Sequence, residues 1–149
     1  MVSRLLRALT RWSALVVMLT ASRWHPVHAA RIELVSSGAN VTATVRVYHD
    51  DFPPRLNRED VTAYLARTLI LKDQAGVTVP LTPSAIVPEG DRVRIVLKGT
   101  ANGALGNGHL AVTVLQERFS DQVNVALALI DGRRAQLVYL RGDAAQVLP

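Results

Sequence analysis

Residues 41–48 read VTATVRVY. Val41, Ala43, Val45 and Val47 fall on one side of an extended chain, and Thr42, Thr44, Arg46 and Tyr48 on the other. Strict alternation in a stretch rich in β-branched residues predicts a strand with one face on a core and the other toward water. Half-buried strands of this kind are typical of antiparallel sheets.

The same reading extends in both directions. Upstream, Arg31 to Val35 (RIELV) is a first strand, and Ser36-Ser37-Gly38-Ala39-Asn40 is the hairpin turn between the two. Downstream, His49-Asp50-Asp51-Phe52-Pro53-Pro54 is a loop forced by its prolines. Asn57 then stands as an N-cap before Glu59 and Asp60, with Val61, Tyr64, Leu65 and Thr68 at helical spacing, which predicts one short helix over 58–67. Further strands are expected at Leu69 to Lys72, Val77 to Leu81 (an edge strand, because of Pro80), Arg92 to Lys98, Leu110 to Gln116, Val123 to Ile130 and Arg133 to Arg141. Asp131-Gly132 joins the last two and is the strongest hairpin signal in the chain. Pro88 to Asp91 reads as a turn, and Asn102 to Gly108 as a flexible glycine-rich loop. Short strands at this spacing predict a mainly β fold, an antiparallel immunoglobulin-like β-sandwich of about seven to nine strands with one helix. The domain is expected to span 25–143, with 144–149 as a loose tail.

The first residues read differently. Met1 to Arg11 carries three arginines and no acid, and Trp12 to Ala21 (WSALVVMLTA) is an apolar run ended by Arg23 and His25. A basic stretch followed by a short apolar one is the signal-peptide pattern, and the run is too short for the roughly 20 apolar residues of a spanning helix. We read residues 1–22 as a signal peptide; Val27-His28-Ala29 offers an alternative cut after residue 29. An uncleaved segment would be the chain's one link to a membrane. The reading places the domain in the periplasm or outside the cell.

The leader also explains the charge. The 149 residues carry 17 Lys/Arg against 12 Asp/Glu, for a formal net of +5. Setting aside Arg4, Arg7, Arg11 and Arg23 leaves 13 against 12. No basic block with interleaved aromatics remains, which argues against nucleic acid as a partner. The absence of cysteine excludes disulfides, thiolate catalysis, cysteine-ligated zinc and a lipoprotein anchor. With 49% hydrophobic residues the domain must stand on packing alone.

Several polar segments are candidates for chemistry. His25, His28, His49, Asp50 and Asp51 combine imidazole and carboxylate, which suits zinc, copper or nickel; alternatively, Asp50 and Asp51 cap a turn. Asp121, Gln122 and Asn124 lie between two apolar strands, and either line a recognition site or satisfy the backbone of a corner. Phe119 reads as a core plug. Arg46 and Tyr48, on the outward side of the second strand, belong either to a partner surface or to a solvated face. Ser120-Asp121 with His109 lacks a Gly-x-Ser-x-Gly elbow, and Gly103, Gly106 and Gly108 match no phosphate-binding fingerprint. No catalytic constellation is recognisable.

His25-Pro26-Val27-His28, His49-Asp50-Asp51-Phe52, Tyr64-Leu65, Phe119 to Asn124 and Asp131-Gly132-Arg133 occur in an order that resembles the small exported domain of unknown-function family 6702. Its pattern runs His-Pro-Phe-His, then Phe-x-Asp-Asp, then Leu-Phe-Asp-Asp-Gln-x-Asn. Val27 departs from it in place of the aromatic, and the loop over 102–108 is altered. The resemblance covers about 25–141 and implies an exported protein without an assigned activity. The leading expectation is a non-catalytic binding or structural module of the cell envelope with a protein partner, and the second a periplasmic transition-metal protein.

Overall fold

In the computed structural model, residues 27–52 and 57–149 are described. The expected signal helix and His25 lie outside them.

The alternating stretch forms β2 (Asn40–Tyr48), with Val41, Ala43, Val45 and Val47 buried. Gly38, at φ 58°, turns the chain back from β1 (Ala29–Ser37), which pairs antiparallel with β2 from Arg31↔Arg46 to Ser37↔Asn40. On the other side of β2 lies β5 (Arg92–Thr100), in register from Asn40↔Thr100 to Tyr48↔Arg92. Beyond it lies β4 (Thr82–Glu89), with a register shift between Pro83 and Ala85. β7 (Val123–Ile130) runs beside β1, and β8 (Arg133–Tyr139) folds back on β7 through Asp131 and Gly132. Both turn residues have positive φ, 47° and 85°, as a tight hairpin of this hand requires. The sheet order is β4-β5-β2-β1-β7-β8.

The sheet departs from the purely antiparallel expectation, because β1 and β7 are parallel over Ala29↔Val123 to Ser36↔Ile130. A parallel pair needs a long crossover, and here residues 38–122 supply it. That crossover contains three strands of the large sheet, the helix α1 (Arg58–Thr68) and two strands of a second sheet. α1 starts where Asn57 Oδ1 accepts from the Asp60 amide at 2.8 Å, and it buries Val61, Tyr64, Leu65 and Thr68. The second sheet has the order β3-β6-β9, from β3 (Leu69–Lys72), β6 (His109–Val112) and β9 (Gln146–Val147).

Four local expectations change. The stretch 77–81 keeps one bridge, Lys72↔Thr78, and the strand forms instead at 82–89. Pro83 and Pro88 disguised β4, which tolerates them because it is the sheet's edge and is bulged at Pro83. β6 stops at Val112, four residues early, and the chain turns through Leu115 at φ 62°. The glycine-rich loop is closely packed: a Cβ on Gly108 would stand 2.4 Å from the Lys72 carbonyl oxygen, and Leu105 is buried. The tail is tied down, with β9 on β6, Leu148 buried, and Gln146 Nε2 donating to the Val138 carbonyl of β8 at 2.7 Å.

Ile32, Leu34, Val45, Val93, Ile95 and Ala128 of the large sheet share one core with Val61 and Leu65 of α1 and with Leu71, Leu110 and Val112 of the small sheet. Each fully buried aliphatic contributes about 1.5–3 kcal/mol relative to an exposed one. Two tyrosines place polar tips inside this core. Tyr139 donates to the Leu110 carbonyl at 2.7 Å, joining β8 to β6. Tyr64 donates to Glu117 Oε1 and accepts from the Leu115 amide, both at 2.8 Å, so one hydroxyl fixes the turn that ends β6. Burial raises the pKa of both tyrosines, which stay neutral donors. Tyr64→Phe strands the buried Leu115 amide, at a cost of about 1–3 kcal/mol. An unchanged urea midpoint for this variant would remove Tyr64 as the anchor.

Candidate functional site

The polar segments separate into three places. The first is the start of β1. His28 stacks on Phe119 with ring centroids 3.7 Å apart and planes 7° apart, and its Nδ1 lies 2.9 Å from Asp121 Oδ1. The Val123 amide donates to the His28 carbonyl at 2.9 Å, so the residues before β1 are sewn to the residues before β7. The hydrogen bond from His28 lowers the Asp121 pKa below the usual carboxylate value. Phe119 is partly buried against the core, close to the plug expected from sequence.

The second place is inside. Gln122 and Asn124 are 1% and 0% exposed. Gln122 Nε2 donates to Asn124 Oδ1 at 2.9 Å, and Asn124 Nδ2 donates to the Val114 carbonyl at 3.0 Å and more weakly to that of Val112 at 3.5 Å. These carbonyls belong to the turn that ends β6, so the pair satisfies a corner rather than lining a surface site. Of the three residues proposed as a polar cluster, Asp121 faces outward and the other two face the interior.

The third is the loop after β2. His49 Nδ1 lies 3.4 Å from Asp50 Oδ1, both side chains well exposed, and the Asp51 carbonyl accepts from Arg118. The amides of Asp51 and Phe52 donate to the carbonyls of Tyr48 and His49, a turn geometry. His28 therefore meets Asp121, not the His49 loop. Among the described residues no three His, Asp or Glu side chains lie close enough together to hold a metal ion. His25, the remaining candidate ligand, lies outside them.

The outward face of the large sheet holds a different arrangement. Its β1, β7 and β8 positions include Val35, Val125, Leu127, Leu129 and Val138, with Val35 43% and Val138 42% exposed. Beside this apolar area runs a row of charge. Arg31↔Arg46 and Arg46↔Arg94 are direct cross-strand neighbours. Like charges placed opposite each other destabilise a sheet unless something separates them. Glu33 does so, at 3.2 Å from Arg31 and 3.1 Å from Arg46, and Glu89 pairs with Arg94 and lies 3.8 Å from Arg46. In the next row, Arg92 lies over the Tyr48 ring at 4.7 Å and donates to its hydroxyl at 3.1 Å. Arg31, Arg46, Tyr48, Arg92, Val125 and Leu127 line a shallow depression of about 340 Å³.

Arg46 and Tyr48 were legible as partner-surface candidates. Arg31, Arg92 and Arg94 were not, because they become a row only through strand pairing, although each occupies an outward position in its own strand.

Asp121 gives this region a pH signature. Its folded pKa is lowered, so its contribution to stability is fully present above the ordinary aspartate value of about 3.9 and is lost as pH falls through the folded value. Asp121→Asn should therefore flatten the stability profile between about pH 5 and about pH 2 relative to the parent. Identical slopes in chemical denaturation across that range would show that the His28 contact adds nothing. No protein-family model matches this chain, and no curated protein matches it.

Proposed function

We propose that this protein is an exported, non-catalytic binding module of the cell envelope, built as a two-sheet β-sandwich of immunoglobulin-like type. The observation that carries the binding reading is the outward face of the large sheet. Large apolar side chains and fixed arginines share a shallow, open area on a rigid six-stranded frame, and that combination suits a protein surface better than an enclosed small molecule. The basic-then-apolar leader supports export, and the resemblance to the exported family agrees with it.

The start of β1 favours a cut near residue 22 over one after residue 29. His28 and Ala29 contribute a stacked ring, a carbonyl acceptor and the first parallel pair, Ala29↔Val123. A cut after Ala29 removes all three. When the full chain is expressed in a bacterial host, the protein recovered from the periplasmic fraction should begin close to Arg23. A mature chain beginning at Ala30 would overturn the early cut, and full-length protein held in the cytoplasm would overturn export.

A further inference from the structure

Charge on the open face narrows the class of partner. The outward positions of the large sheet carry Arg31, Arg46, Arg92, Arg94, Lys98 and Arg134, against two carboxylates, Glu33 and Glu89. The chain beyond its leader is almost neutral, at 13 Lys/Arg against 12 Asp/Glu, so this one face concentrates cations. Glu33 and Glu89 are already shared among Arg31, Arg46 and Arg94. Arg92, Lys98 and Arg134 form no salt bridge among the described residues.

The cations also have fixed positions. Cross-strand register spaces Arg94, Arg46 and Arg31 one strand apart, about 4.8 Å each. Glu33 and Glu89 hold their guanidinium groups in place, and a held guanidinium is a fork suited to carboxylates. Going from β5 across β2 and β1 to β7, the surface passes from arginines to Val125, Leu127 and Leu129. An occupant crossing the strands therefore meets positive charge first and apolar surface second. A lipid surface fits less well. The aromatic on this face, Tyr48, lies under Arg92 rather than reaching outward, and Val125, Leu127 and Leu129 are half-buried in the sheet surface.

We propose that the open face docks an acidic protein segment whose carboxylates lie over the Arg31–Arg46–Arg94 row and whose adjoining apolar side chains cover Val125, Leu127 and Leu129. This rests on the binding-module reading and specifies its partner.

The test uses the full mature chain and a short blocked peptide with glutamates in its first half and leucines in its second. Fluorescence anisotropy at low salt should give saturable binding. Arg31→Glu with Arg94→Glu, which reverses both ends of the row, should weaken it about tenfold or more while the far-UV circular dichroism of the parent is retained. Lys72→Glu, on the small sheet, should leave it unaltered. A peptide with lysines in place of the glutamates should not bind. No saturable binding, an equal affinity in the charge-reversed variant, or tighter binding to phosphatidylglycerol vesicles than to the peptide would each overturn the proposal. So would a reversal-sensitive self-association of the chain that excludes the peptide. Failure of the underlying reading is visible separately. If photo-crosslinkers at Val35, Val138 and Lys72 yield no adduct with any envelope protein in cells, the binding module itself is refuted; adducts at Lys72 alone would refute only the choice of face.

Discussion

The parallel ladder between residues 29–36 and 123–130 closes the longest loop in the fold, and the other elements take their places from it. Closing a loop costs entropy that grows slowly with length, so the expense is bearable if the contact, once made, is extensive. Here it runs the length of both strands. It seats Ile32 and Leu34 beside Ala126 and Ala128 on the core side, and it sets Val35 beside Leu129 on the outer side. Everything between the two strands must then be folded within the crossover, which explains why the helix and most of the small sheet lie there. The hairpin partners β2 and β8 extend this pair outward on either side. The same ladder brings His28 to Phe119 and Asp121 at one end.

Elements governed by local chemistry could be read from the chain. Alternation in 41–48, the positive-φ turn at Asp131-Gly132 and the Asn57 cap each depend on neighbours a few residues away, and each appears in the structure as read. What could not be read depends on distant partners. β4 escapes a local reading because Pro83 and Pro88 matter only relative to a sheet edge, and an edge is a property of the whole sheet. The early end of β6 is written at Asn124 and Tyr64, far from Val112 in sequence. Gly103 and Gly108 read from sequence as part of a flexible loop, whereas they allow close approach to Asp73 and Lys72.

The candidate site follows the same division. Gln122 and Asn124 were identifiable as polar residues in apolar company, but only packing distinguishes a surface cluster from an internal brace. The arginine row is the reverse case. Each member looks like an ordinary outward-facing strand residue, and its meaning comes from register. Holding Arg31, Arg46 and Arg94 together costs electrostatic repulsion, which Glu33 and Glu89 offset.

The end of the chain bears on how this molecule behaves in crowded solution. β8 is the outer strand of the large sheet, and an unpaired strand edge is a template on which a second molecule can add. Gln146 Nε2 occupies the Val138 carbonyl, Asp143 Oδ2 caps the Leu140 amide at 2.7 Å, and Arg133 and Arg134 stand at the strand's entrance. The last residues thus occupy one hydrogen-bonding group of that edge and cap the residue that follows it. A fusion or truncation that pulled residues 143–149 away from β8 and β6 would expose hydrogen-bonding groups that the native chain keeps engaged.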